Sequence, residues 1–199
     1  MARALISLAA SLVAALAFAA PSLAGGGSYA FDGGTAAQQR QVVRALEASS
    51  FPWSVVPATI TIHIAPGTGS FARPGHIWLD AKVLDAGMFS WAIVQDEYAH
   101  QVDFFLFDAS IRQRLTAALG ADAWCREIPG LAHDRYGCER FTSTLVWAYW
   151  PSAGNAYRPV TKRDESAAMA PARFRALMTS IIAGPQIASA DRALAAARK

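Results

Sequence analysis

Hydrophobic and polar positions change their period several times along the chain, and each change marks a predicted element. Val42, Val43 and Leu46 share one face of a helix that Thr35 can cap and that runs to about Glu47. Pro52 and Pro57 break the chain after it. From Thr59 to Ile64 apolar and polar residues alternate strictly. That pattern predicts a half-buried strand with its isoleucines inward and His63 on the outer side. Turn residues from Pro66 to Gly69 and from Arg73 to Gly75 lead to a second strand, His76 to Asp80. From about Ala86 to Phe107 the period becomes helical and crowded with large apolar residues. A short helix around Ile111 to Leu119 stops at Gly120. Ala121 to Gly137 reads as loop, Cys138 to Trp150 as helix, and residues 151 to 163 as irregular chain. A last helix follows from about Pro171, a proline suited to a first turn, to Ile182. The class is α+β, with a small N-terminal sheet followed by a mostly helical C-terminal part.

Both ends stand apart from this pattern. Arg3 precedes an apolar run from Ala4 to Ala20, and Ser22 and Ala24 put small residues before Gly25. Residues 1–24 are therefore expected to be a secretory signal peptide. An uncleaved anchor is the alternative, with an apolar run at the short end for a membrane span. Residues 25–34 read as a Gly-rich mobile leader, 35–185 as one domain, and 186–199 as an Ala/Arg-rich tail.

Composition narrows the class. The chain is 53% hydrophobic and 17% charged, with ten Phe, six Trp and five Tyr, which excludes a disordered protein. The net charge of +3 comes from scattered basic residues without a basic stripe, so no nucleic-acid partner is expected. No second run is long and apolar enough to cross a bilayer, so no membrane partner is expected once the signal is cleaved. The protein is expected outside the cytoplasm, secreted or extracytoplasmic. In that compartment Cys125 and Cys138 are expected to form a disulfide, with two buried thiols as the alternative. Closing a loop of this size is worth about 3 kcal/mol in the chain-entropy model.

Candidate chemistry concentrates in the segment from Trp91 to Phe105. Asp96, His100 and Asp103 fall at i, i+4 and i+7, on one helical stripe, with Glu97 on the neighbouring one. Phe89, Ile93, Phe104 and Phe107 flank them. A solvated face is polar along its whole length, whereas this is a polar island in an apolar helix. Buried ionisable groups persist when paired or bound to a metal.

Asp96-Glu97-Tyr98-Ala99-His100 resembles the His-Glu-x-x-His helix of zincin metallopeptidases, with Asp96 in place of the first histidine. The resemblance covers roughly Ile60 to Trp150. It implies a zincin-like fold, zinc as cofactor, His100 as a ligand and Glu97 as the base that activates water. In the gluzincin branch a third ligand comes from a Glu on a downstream helix, and Glu139 stands in that place. The implied activity is hydrolysis of a peptide or protein substrate. Asp96 departs from the pattern. A carboxylate reaches less far than an imidazole, and a second anionic ligand weakens the acidification of water. An oxygen-rich set also loosens the preference for zinc over manganese or iron, so another divalent metal is admitted. The alternative implied by that departure is a catalytically inactive zincin-fold domain that binds without turnover. A buried ion-pair network is the third reading.

Other residues stay open. Asp103 is a third ligand in place of Glu139, a hydrogen-bond partner for the far nitrogen of a ligand, or a surface residue. His133 is a transition-state donor, a spare ligand or neither, and Tyr136 and Tyr157 are candidate oxyanion donors. Arg140 is expected in an ion pair. Cys138 directly precedes Glu139, so a bridge to Cys125 would anchor the helix that carries it.

Overall fold

A computed structural model describes residues 27–125 and 128–183; the expected signal peptide and the Ala/Arg-rich tail lie outside the described residues. The elements run β1 (Tyr29–Gly33), α1 (Ala36–Ala48), β2 (Ile60–Ala65), β3 (Phe71–Arg73), β4 (His76–Asp80), α2 (Ala81–Asp85), α3 (Trp91–Leu106), α4 (Ala109–Leu119) and α5 (Gly137–Tyr149). A further helix, α6, covers 171–183. The class is α+β, as the pattern predicts. No described helix is long and apolar enough to cross a membrane.

The four strands form one sheet in the order β1-β2-β4-β3. β1, β2 and β4 are parallel, and β3 is antiparallel to β4 at the edge. β2 alternates as expected: Ile60, Ile62 and Ile64 are buried while Thr61 and His63 face the other way. Burying each isoleucine is worth about 1.5–3 kcal/mol. Val42, Ala45 and Leu46 of α1, with Val94, Tyr98 and Val102 of α3, share this core. On the open side His63 bonds Asp32 (2.7 Å) and His76 (3.0 Å), so it sits on the surface face the alternation assigns it.

Three readings need correction. The stretch read as a mobile leader carries β1, whose Tyr29 is wholly buried and whose register follows β2 from Ile60 to Ile64. Backbone pairing with a parallel neighbour holds this strand despite its glycine-rich flanks, and Gly33 and Gly34 take positive φ on the way to α1. The segment read as turns between the two predicted strands contains β3, too short for alternation to reveal. The long helix also begins later than expected: a 3₁₀ turn, Gly87–Ser90, precedes α3, and Phe89 on it is 62% exposed.

Polar side chains fix α3 in place. Gln101 accepts from the Gly75 amide (2.9 Å) and donates to the carbonyls of Arg73 (3.0 Å) and His76 (3.1 Å), fastening α3 to the β3–β4 hairpin. Gln95 donates to the Ala45 carbonyl (2.7 Å) and fastens it to α1. At the head of α1, Thr35 and Gln38 form a reciprocal capping box, worth about 1 kcal/mol. Helix α3 thus lies between the sheet edge and α5, and its polar island faces the gap.

Candidate metal centre

Asp96, Glu97, His100 and Asp103 are all buried, so the stripe on α3 is no solvated face. Three of them meet Glu139 of α5. Ligand atoms of Asp96, His100 and Glu139 lie within 4.8 Å of one another. His100 Nε2 and Glu139 Oε2 are 3.6 Å apart. Two ligands at about 2.1 Å from a tetrahedral ion stand roughly 3.4 Å apart, so this pair already has the spacing of a shared ion.

Local structure explains why Glu139 arrives there. It occupies the first turn of α5, where a carboxylate is favoured by the helix dipole. The preceding Cys138 is bridged to Cys125, with Cα atoms 5.6 Å apart. Gly137 packs where a Cβ would stand 2.6 Å from Trp124 Cε3, and its amide donates to the Ala123 carbonyl (2.7 Å). The start of α5 is thereby clamped by the disulfide, an aromatic ring and a backbone bond. No thiol is free among the described residues.

Asp103 belongs to the same support. Its Oδ1 accepts from Arg112 Nε (2.8 Å) and its Oδ2 from Trp124 Nε1 (3.0 Å). Both oxygens are committed to tying α3, α4 and the disulfide loop together. Tyr136 likewise turns to the loop, accepting from the Ile128 amide (2.7 Å). Arg140 donates to the carbonyls of Leu119 (2.7 Å) and Asp134 (3.0 Å), so it closes backbone ends where an ion pair was expected.

A cavity of about 470 Å³ opens on the cluster. Asp96, Glu97, His100, Glu139, His133 and Tyr157 line it together with apolar Ile93 and Phe104. Ser70, Phe71 and Ala72 of the β3 edge form the opposite wall. His133 reaches the cluster from a 3₁₀ turn, His133–Arg135, with its Nε2 3.4 Å from Glu139 Oε2. Its other nitrogen, Nδ1, lies 2.7 Å from Glu165 Oε1, and Ser143 Oγ donates to Glu165 Oε2 (3.1 Å).

Sequence reasoning missed Glu165 and the β3 wall. Glu165 ends the charged run Lys162 to Glu165, which in sequence looks like any solvated stretch.

Packing so many ionisable groups together moves their proton affinities. Burial lifts the Asp96 carboxyl from its ordinary 3.8 to about 6, with His100 pulling the other way. Burial and the neighbouring Asp96 lift Glu97 from 4.5 to about 8. Burial alone would lower His100; its bond to Glu139 and the charges of Asp96, Glu139 and Glu97 outweigh that and raise it to about 9. Burial would raise Glu139, but His100 and His133 outweigh it and hold it down. Burial, then the surrounding carboxylates, push the Tyr157 phenol up, so it stays a donor.

Asp96 Oδ1 has no hydrogen-bond partner although it is buried. An orphaned anionic oxygen beside a histidine nitrogen and a second carboxylate is the donor set a divalent cation completes. The residues therefore fit a metal. Their two oxygens and one nitrogen suit zinc and equally manganese or iron.

No known family model, curated protein or solved structure matches this chain. What the site can do must follow from its own chemistry. It offers three side chains that could hold a cation, a buried carboxylate beside them, a cavity and, among the described residues, a strand edge without a further strand.

Proposed function

We propose that the protein is a secreted, zincin-like metal-dependent peptidase. The observation that carries this reading is the convergence of Asp96, His100 and Glu139 on one point with Glu97 buried alongside. The Cys125–Cys138 bridge and the signal-like leader support an oxidising, extracytoplasmic address.

Asp96, His100 and Glu139 would hold the ion. When bound, it would polarise a scissile carbonyl and make a water more acidic. Glu97 is the proton carrier. Burial and Asp96 raise its proton affinity to about 8, and a cation beside it would lower it again, so that Glu97 would take a proton from the attacking water and return it to the leaving amine. Tyr157 supplies a phenol donor to the carbonyl oxygen as it gains charge. Among the described residues the edge strand β3 pairs with β4 alone, which leaves its outer side to align an extended peptide by backbone bonds. Ile93 and Phe104 give the cavity an apolar floor for a side chain of that peptide. Turnover of a mixed pool of quenched peptides by zinc-supplemented protein tests the reading. Glu97→Gln should abolish it.

A second reading rests on Asp96. Two carboxylates and one imidazole neutralise more of the ion's charge than two imidazoles do, which makes its water a poorer acid. A domain that binds peptide in the cavity without cleaving it has the same geometry. Peptide binding that persists without any cleavage would favour it.

A further inference from the structure

We infer that β3 selects an extended peptide carrying an aromatic residue, whose ring stacks on Phe71. This rests on the reading that the β3 edge aligns the substrate, and it deepens that reading.

One row of side chains crosses the open face of the sheet, one residue from each strand. Asp32 lies beside His63, His63 beside Trp78, and Trp78 beside Phe71. The three rings stack, His63 on Trp78 at 4.8 Å and 15°, Trp78 on Phe71 at 4.7 Å and 10°. Those spacings equal the distance between neighbouring strands, about 4.7–4.9 Å. The sheet itself therefore sets the pitch of the column. Its inner end is fixed, since Asp32 and His76 hold the two nitrogens of His63 at 2.7 and 3.0 Å. The Arg73 guanidinium lies 5.9 Å from the Phe71 ring and 6.0 Å from the Trp78 ring, which ties the outer pair together.

The outer end is open. Phe71 has one face on Trp78, is 39% exposed, and lines the cavity that Asp96, His100 and Glu139 also line. Among the described residues β3 pairs with β4 alone, so no further strand continues the row. A peptide laid along β3 would bring one side chain opposite Phe71, one strand spacing away. That is the next position in the column, and a planar ring fills it at stacking distance. The column contains one parallel and one antiparallel step, so the added strand can run either way. Side chains alternate along a strand, so the peptide residue next to the aromatic one faces the side of Ala72. Ala72 lies opposite the buried Ile77, which shares its core with Val94, Tyr98 and Val102 of α3. The aromatic residue would thus anchor the peptide from the open face while its neighbour is presented toward α3. Phe71 is the specificity-determining residue; Trp78 and His63 act through it and are positioning residues.

Fluorescence anisotropy of labelled, amidated decapeptides tests this on the zinc-supplemented protein. The base peptide contains only Ala and Thr; in the others one Tyr, Leu or cyclohexylalanine stands at each position in turn. Tyr at one position should bind about 5-fold tighter than Leu or cyclohexylalanine there, the scale of a ring pair beyond its buried area. Phe71→Leu should reduce that ratio to about 1, and Trp78→Leu should reduce it in part. Mass spectrometry of the same samples should place cleavage at a fixed distance from the Tyr. The peptide series needs no altered protein, so the comparison holds even if a variant fails to fold. Equal affinity for all three side chains, or a Tyr preference that Phe71→Leu keeps, would overturn the inference and leave the peptidase reading standing. So would a dimer that Phe71→Leu dissociates, which would assign the edge to a second copy of the chain. Binding with the Tyr preference but without cleavage would instead overturn peptidase activity and keep the role of Phe71. A protein that neither binds nor cleaves any of these peptides would overturn both.

Discussion

Asp103 and His100 stand one turn apart on α3, yet only His100 faces the cavity. Asp103 gives both oxygens to Arg112 and Trp124. Helical spacing groups the two residues; tertiary packing separates their roles. Asp103→Ala removes a buried carboxylate and leaves Trp124 Nε1 and Arg112 without their acceptor, so it should cost about 3 kcal/mol. Denaturant unfolding measures this. Zinc should still bind whatever fraction remains folded, because the ligands themselves are intact.

The disulfide should matter to the site as well as to the fold. Replacing Cys125 and Cys138 with serine should cost about 2–4 kcal/mol in stability. Zinc affinity should fall too, because Cys138 precedes Glu139 and the clamp on the start of α5 is lost. Equal affinity in reduced and oxidised protein would show that Gly137 and Trp124 suffice to place Glu139.

The metal-free protein should lose stability as pH rises. Asp96, Glu97 and His100 all bind protons more tightly folded than their ordinary values, at about 6, 8 and 9. Each contributes stability that is complete below its ordinary value and lost as pH climbs through the raised one. The windows run from 3.8 to about 6, from 4.5 to about 8, and from 6.5 to about 9. Glu139, held low, acts in the opposite sense and only in acid. Melting temperature in chelator should therefore fall from pH 5 to pH 9. Added zinc, which favours the deprotonated ligands, should flatten that fall and stabilise most at the alkaline end. A melting profile flat across this range in chelator would contradict the cluster's electrostatics.

Asp96→His restores two imidazoles on α3. The site becomes one unit more positive, so zinc should bind more tightly and peptidase turnover should rise. Asp96 is buried at the cavity wall, and an imidazole that packs against that wall instead of reaching into the cavity would cost about 1–3 kcal/mol of stability. Affinity, melting temperature and turnover measured on one sample separate these effects. A stable variant with no gain in zinc affinity would remove Asp96 from the ligand set.

Much of the fold was legible because period survives without context. The isoleucines of β2, the apolar face of α1 and the stop at Gly120 all follow from local rules. β1 was not, since its five residues lie between glycine runs and its pairing partner lies beyond α1. β3 was hidden by its length of three residues. At the site, the island Asp96–His100 stood out by its setting on an apolar helix, and Glu139 by its place on a downstream one. Glu165 had no such mark, because only the return of the chain past α5 brings it to His133. Asp103 shows the converse failure, where spacing alone joins residues that packing assigns to different partners.

Metal content decides the central claim. The protein, purified without chelator, should carry close to one equivalent of a divalent metal by elemental analysis, or take up one equivalent of zinc after stripping. His100→Ala and Glu139→Ala should each abolish that uptake while remaining folded. A folded, stripped protein that takes up no zinc, cobalt or manganese would contradict the account, and the cluster would then be a buried ion-pair network and nothing more.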